Sequence, residues 1–191
     1  MGLPDIVYSF VFIVAADLRN QTKRKLHQTA DSSPKSPIFG GYIAATGLIT
    51  VITTVIANFI LFENRSTALS WIMDLIFIAL GLISFAQFFF NKQSASSDEK
   101  SKALINPGKG SGVFFKTFAY TSLFEWINKP SLVLLPMGYY WSFVFVLIGS
   151  FLGYLFNGYL AINHGVFGIS KYATVIFGGL CILVGVLNIL F

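Results

Sequence analysis

Two short polar segments interrupt an otherwise strongly apolar chain, and both place an acid in a stretch long enough to cross a membrane. The first begins at Asp17 and the second at Glu125. Each acid is followed three residues later by an amide, Asn20 in the first segment and Asn128 in the second. A charge at membrane depth is costly, so an acid retained there predicts a functional site. Its repetition half a chain apart predicts a site built from two repeats.

The composition indicates a protein that lies in a lipid bilayer. Of the 191 residues, 55% are hydrophobic and only 11% are charged, whereas a soluble domain has about 25% charged residues. The net charge of +5 would favour nucleic acid in a soluble protein. Here the basic residues cluster between hydrophobic stretches, where they indicate membrane topology. We therefore expect an integral, multi-pass membrane protein that contacts lipid and binds no nucleic acid.

The hydrophobic pattern predicts an all-α membrane protein with six transmembrane helices, because a spanning helix needs about 20 mostly apolar residues. Pro130 and the glycine-rich approach to the fourth span predict a break in that helix. The first apolar stretch has no basic leader, so no cleavable signal is predicted. The six predicted spans cover residues 5–22, 38–62, 69–91, 112–136, 139–162 and 171–191.

The spans divide into two halves, 1–92 and 112–191. The segment 93–111 between them is rich in Ser, Lys and Gly, which predicts a cytoplasmic or stromal linker. Three spans followed by three more give the halves opposite orientations, so we expect a 3+3 inverted repeat with its site near the midplane. Two sequence parallels favour a repeat: Ile38-Phe39-Gly40-Gly41 with Leu147-Ile148-Gly149-Ser150, and Phe77 to Leu82 with Cys181 to Val186.

The basic residues predict which ends of the spans face the cytoplasm. They concentrate after the first and third spans, and the positive-inside rule places both loops in the cytoplasm or stroma. Both termini are then on the non-cytoplasmic side, while a thylakoid, plasma or Golgi-type membrane all remain open. The residues concerned are Arg19, Lys23, Arg24, Lys25 and Lys35 after the first span, and Lys92, Lys100, Lys102, Lys109 and Lys116 after the third.

The segment Glu125-Trp126-Ile127-Asn128-Lys129-Pro130-Ser131 resembles a motif of the Gdt family of cation/proton exchangers. These are the manganese and calcium transporters of Golgi and chloroplast membranes, within the LysE-like superfamily. The family carries Glu-x-Gly-Asp-(Lys/Arg)-(Thr/Ser) in its first and fourth spans, and the pattern from Ile148 to Leu180 is also similar to the family's. The chain is identified as a divergent member with degenerate motifs. The resemblance implies export of manganese or calcium from the cytoplasm, with protons as counter-ion.

Carried across position by position, the resemblance implies a metal site made of Asp17, Asn20, Glu125 and Asn128. Both family Asp positions are Asn in this chain. Manganese and calcium prefer carboxylate and carbonyl oxygen, which two acids and two amides still offer. What the substitutions remove is capacity to bind protons. Arg19, two residues from Asp17, would also hold a nearby carboxylate ionised without a metal.

Simpler interpretations of the same residues stay open. Glu125 has Lys129 at the i,i+4 spacing of an ordinary helical ion pair, and Asp17 suits the cytoplasmic end of a short span. The two Asn side chains suit hydrogen bonds between helices. Asp74, near the start of the third span, is expected to be an interfacial acid, with a proton relay as the alternative.

Two functional hypotheses follow, and neither is an enzyme, since the sequence contains no nucleophile–base pair, phosphate loop or cofactor motif. The first is a divergent transporter of a divalent cation, proton-coupled if the two acids take up protons. The second is a non-transporting structural or assembly subunit that retains the exchanger fold within a larger membrane complex. In a variant of the transporter hypothesis, a sister subunit supplies the intact motifs that transport needs.

Overall fold

The computed structural model describes residues 3–17, 21–61, 66–90, 110–126, 128–164 and 170–190, and these form an all-α fold. The described part contains eight α-helices, and the third continues into a π-helix over Ile56–Leu61. The predicted linker, 93–111, lies almost wholly outside the described residues, so the division into halves stays a prediction. The helices are α1 Leu3–Asp17, α2 Gln21–Ser32, α3 Lys35–Val55, α4 Thr67–Phe90, α5 Gly110–Glu125, α6 Lys129–Tyr140, α7 Phe143–Asn163 and α8 Ser170–Leu190.

Four of the described helices are long and apolar enough to cross a membrane, which fits an integral, multi-pass protein. They contain the stretches Lys35–Phe59, Thr67–Phe89, Phe143–Asn163 and Tyr172–Leu190, and they match the predicted second, third, fifth and sixth spans. Their outer faces expose large apolar side chains, as contact with lipid requires. Examples are Leu82, Ile83, Leu152, Phe156, Leu183 and Leu187.

Both polar segments lie at breaks between two short helices. Residues 18–20 lie outside the described residues, between α1, which ends at Asp17, and α2, which begins at Gln21. Asp17 and Lys23 form an ion pair although they are six residues apart, a spacing that one continuous helix places on different faces. The predicted first span, 5–22, is therefore wrong as a single helix. The predicted break in the fourth span is confirmed: α5 ends at Glu125 and α6 begins at Lys129. Pro130 lies in the first turn of α6, where its missing N–H costs no helical hydrogen bond.

Two helix contacts resemble each other. In one the glycine belongs to the last four helices, and in the other it belongs to the first four. α1 packs on α7, and α5 packs on α3. At the first contact Gly149 lies against the carbonyl oxygen of Ile6, and at the second Gly41 lies against that of Phe114. The separation along the chain is the same from Gly41 to Gly149 as from Ile6 to Phe114. Gly41 therefore corresponds to Gly149. The sequence comparison aligns Gly41 with Ser150, which is one residue too far along the chain.

α4 and α8 pack together, and each contributes a glycine that lies against the main chain of the other. A Cβ at Gly81 would lie 2.8 Å from the carbonyl oxygen of Gly178, and a Cβ at Gly185 would lie 3.0 Å from that of Asp74. Helices in membranes approach this closely where small residues line the contact. The parallel between residues 77–82 and 181–186 aligns Gly81 with Gly185, and the structure gives both glycines the same position in the contact.

Candidate functional site

The acid that ends α1 is completely buried and paired with a lysine of the next helix. Asp17 Oδ2 lies 2.8 Å from Lys23 Nζ, and the two side chains are 0% and 2% exposed. The same oxygen accepts hydrogen bonds from Tyr42 of α3 at 2.8 Å and from Asn157 of α7 at 3.3 Å. A desolvated carboxylate needs such partners, because an uncompensated buried charge costs several kcal/mol.

Lys23 is held in place by an aromatic ring as well as by the acid. Its Nζ donates to the Tyr42 hydroxyl and lies 3.5 Å from the centroid of the Tyr42 ring. Gly158 of α7 leaves room for that ring, since a Cβ there would come within 2.8 Å of Tyr42 Cε1. The predicted placement of Lys23 in a loop is wrong: it lies in α2 and is buried. Lys23 belongs to the site.

Glu125 ends α5 in a similar position but has different neighbours. It is also 0% exposed, and its carboxylate accepts hydrogen bonds from the side chains of Thr22 and Asn128. The Ser131 hydroxyl donates to the main-chain carbonyl of Glu125, which ties the start of α6 to the end of α5. The side chains that donate these bonds are uncharged.

The two breaks meet in one electrostatic cluster. Glu125 interacts electrostatically with both Asp17 and Lys23, so the two acids lie within electrostatic range of each other. Each acid is the last residue of its helix, and a helix carboxyl end carries a partial negative charge. Two acids and two such ends favour a cation, and the ammonium of Lys23 provides one.

Of the predicted ligands, the structure brings together Asp17, Glu125 and Asn128, while Asn20 and its neighbour Arg19 lie outside the described residues. Asn128 is the residue before α6, with extended backbone angles of φ −84° and ψ 158°. Its side chain donates to Glu125, so the amide orients an acid. Among the described residues no three His, Cys, Asp or Glu side chains form a metal-binding group.

The predicted helical pair between Glu125 and Lys129 does not form on one helix. The chain breaks between α5 and α6, so the i,i+4 spacing has no helical geometry. Lys129 Nζ donates to Ser84 Oγ of α4 at 2.8 Å. This contact joins the second break to α4.

Lys23, Tyr42, Asn157 and Thr22 are site residues that sequence reasoning missed. Asn157 carried the clearest signal, as an amide within a long apolar span, where such residues commonly hydrogen-bond between helices. Lys23 carried none, because its contact with Asp17, six residues earlier, does not form along one continuous helix and the apolar pattern shows no break there. Tyr42 looked like an ordinary aromatic residue of a span.

Buried hydroxyls continue from the site along α3. Thr46, Thr50 and Thr54 lie one turn apart, and each donates to the carbonyl four residues earlier, at 3.0, 2.7 and 2.7 Å. Each hydroxyl oxygen retains acceptor capacity. The row is about 12 Å long at the helical rise of 1.5 Å per residue. The interior of the bundle is therefore polar well beyond the two acids.

Comparison of the chain with protein-family models, with curated proteins and with solved structures finds no match. The resemblance to the Gdt family rests on the motif residues described above.

Proposed function

We propose that this chain is a membrane transporter that moves a divalent cation, manganese or calcium, out of the cytoplasm. The observation that carries the proposal is the position of Asp17 and Glu125. Each ends a short helix at a break, both are fully buried, and they belong to one electrostatic cluster. Intramembrane acids that meet where broken helices converge are typical of ion sites in secondary transporters.

In this proposal the eight helices make six crossings as a 3+3 inverted repeat. α1 is 15 residues long, or about 22 Å at 1.5 Å per residue, against a hydrocarbon core of about 30 Å. α1 with α2, and α5 with α6, would each form one broken crossing. The matching glycine contacts between the first four and the last four helices support this arrangement. The basic residues favour termini on the non-cytoplasmic side.

Lys23 gives the proposed site an internal competitor. A cation that binds Asp17 has to displace the Lys23 ammonium, which lies 2.8 Å from the same oxygen. The tethered ammonium compensates one carboxylate while the site is empty, which lowers the cost of holding that acid in lipid. A proton taken up by the other acid would complete neutrality, so protons are the proposed counter-ion.

The same ion pair favours a second candidate function. If Asp17 and Lys23 stay paired, they act as a fixed link between α1 and α2, and the chain serves as a non-transporting structural or assembly subunit. A carboxylate held by an ammonium, a phenol and an amide is well satisfied without any metal. A sister subunit with intact motifs would then supply transport.

Flux through the purified chain distinguishes the two candidates. We expect manganese or calcium uptake into proteoliposomes under a pH gradient, abolished by Glu125→Gln. The matched control is Asp31→Asn, which removes an acid at an exposed position of α2 and should leave uptake unchanged. Uptake that is absent from folded wild-type protein, or equal in Glu125→Gln, would favour the subunit.

Restoring the motif acids tests the site more directly. Asn128→Asp replaces a donor beside Glu125 with a carboxylate, and Asn20→Asp restores the first motif. We expect the double variant to bind manganese more tightly than wild type, because added ligand charge raises the affinity of oxygen sites. Electron paramagnetic resonance of free manganese measures the change. Binding that stays at background in the folded double variant would contradict a cation site at the breaks.

A further inference from the structure

A polar cavity lies between the first turns of α4 and the last turn of α8. It has a volume of about 370 Å³, and none of its lining residues belongs to the site at the helix breaks. Apart from Ile189, its lining consists of oxygen-bearing side chains and one indole: Ser66, Thr67, Ser70, Asp74, Asn188 and Trp71. The cavity thus combines one acid with hydroxyl and amide oxygens.

Asp74, which the sequence predicts to be an interfacial acid near the start of the third span, is buried in the wall of this cavity. Its side chain is 4% exposed, and Oδ1 accepts a hydrogen bond from the Tyr140 hydroxyl at 2.6 Å. Across the part of the chain that the structure describes, no cationic side chain forms an ion pair with Asp74. Within the described residues its one side-chain hydrogen-bond donor is the neutral Tyr140 hydroxyl, and a cation in the cavity would compensate the charge of this buried carboxylate.

The helix ends around the cavity favour positive charge in it. Asn188 and Ile189 belong to the last turn of α8, whose final carbonyl groups have no helical partner and carry partial negative charge. Two N–H groups at the opposing positive end of α4 are already occupied, because Ser66 Oγ accepts from the Leu69 N–H at 3.2 Å and Ser66 O accepts from the Ser70 N–H at 3.0 Å. The Asp74 carboxylate would also repel an anion.

We propose that this cavity is a second cation site, which binds a hard divalent metal ion such as calcium or manganese through Asp74. Hard cations prefer carboxylate, carbonyl and hydroxyl oxygen, which this lining provides. A water molecule occupies about 30 Å³, so the cavity accommodates an ion that keeps several of its waters. The site does not depend on transport through the helix breaks.

Terbium luminescence tests the site, because Trp71 lies in its wall. Tb³⁺ replaces calcium at oxygen sites and emits when a nearby tryptophan is excited. In purified protein in detergent we expect saturable emission that calcium and manganese displace. Asp74→Asn should weaken Tb³⁺ binding about tenfold or more, since ligand charge sets the affinity of such sites. Trp71→Phe should abolish the emission while manganese binding, measured by electron paramagnetic resonance, persists.

Two further variants keep the test decisive. Asn188→Ala changes an exposed side chain, so the protein should fold, and we expect several-fold weaker Tb³⁺ binding. Glu125→Gln should leave in place the part of the emission that Asp74→Asn weakens, which separates this site from the one at the helix breaks. Emission that survives both Asp74→Asn and Asn188→Ala at wild-type affinity, or that Glu125→Gln removes, would overturn the proposal, as would the absence of saturable emission from folded wild-type protein.

Discussion

The two acids at the helix breaks are alike in sequence position and unlike in their surroundings. Asp17 forms an ion pair with the Lys23 ammonium, whereas Glu125 accepts hydrogen bonds from uncharged side chains. Lys23 follows Asp17 at the same spacing as Ser131 follows Glu125. An ammonium at one position and a hydroxyl at the other thus give equivalent breaks different electrostatics. The first break carries its own counter-charge, and in the proposed transporter the second is where a proton or a cation would change the charge of the cluster.

Removing the counter-charge should have the largest effect on stability. Lys23→Met leaves the buried Asp17 side chain without its counter-charge, and breaking a buried ion pair in this way costs about 3–5 kcal/mol. The free energy of unfolding in mixed detergent micelles measures the loss. Lys25→Met is the matched control on the same helix, because Lys25 is only partly buried, and it should cost less than about 1 kcal/mol. A Lys23→Met loss as small as that of the control would mean that the ion pair contributes little.

Neutralising each acid should separate the two breaks. Asp17→Asn strands the Lys23 ammonium, so we expect a loss of about 3 kcal/mol, at the lower end for a broken pair because the amide oxygen still accepts hydrogen bonds. Glu125→Gln replaces an acid that has neutral donors, and we expect a change within about 1.5 kcal/mol. The same unfolding assay compares the two variants. Equal losses would contradict the electrostatic difference between the breaks.

Crowding the glycine contacts should perturb each break separately and by a smaller amount. Gly149→Ala pushes on α1, which carries Asp17, and Gly41→Ala pushes on α5, which carries Glu125. Overpacking costs about 1–3 kcal/mol, offset by about 1 kcal/mol from replacing glycine in a helix. The control is Gly179→Ala, where nothing lies within 4 Å of the added Cβ, and it should stabilise the protein slightly. Stabilisation by Gly149→Ala would contradict the close approach of α1 and α7.

Composition and apolar length were enough to predict the all-α fold and its four long helices, because lipid exposure imposes a simple rule on sequence. The break at Glu125 was predictable from Pro130. The break after Asp17 was not, since that segment contains no proline or glycine and its polar residues suit a helix end equally well. The boundaries of the first span were wrong for this reason.

The site was predictable as a pair of acids and not as an assembly. Asp17 and Glu125 can be recognised in the sequence because they are charged residues in apolar surroundings. Their partners do not, because Lys23 looks like one of several topology-setting lysines and Tyr42 like one of many aromatic residues. The path of the chain after each break determines which lysine and which tyrosine contact the acid. That path depends on packing between helices far apart in sequence, such as Gly158 of α7 against Tyr42 of α3.

The hydrogen bond from Asn157 to Asp17 also constrains how the protein is made. The two residues lie 140 positions apart, and a ribosome that adds about 5–20 residues per second needs roughly ten seconds to reach the second. Throughout that interval α1 is too short to cross the bilayer alone, and its acid lacks one of its partners. We therefore expect α1 to reach its final depth only after α7 has been synthesised. Membrane insertion of the first half would then be completed late, when Asn157 supplies the missing partner of Asp17.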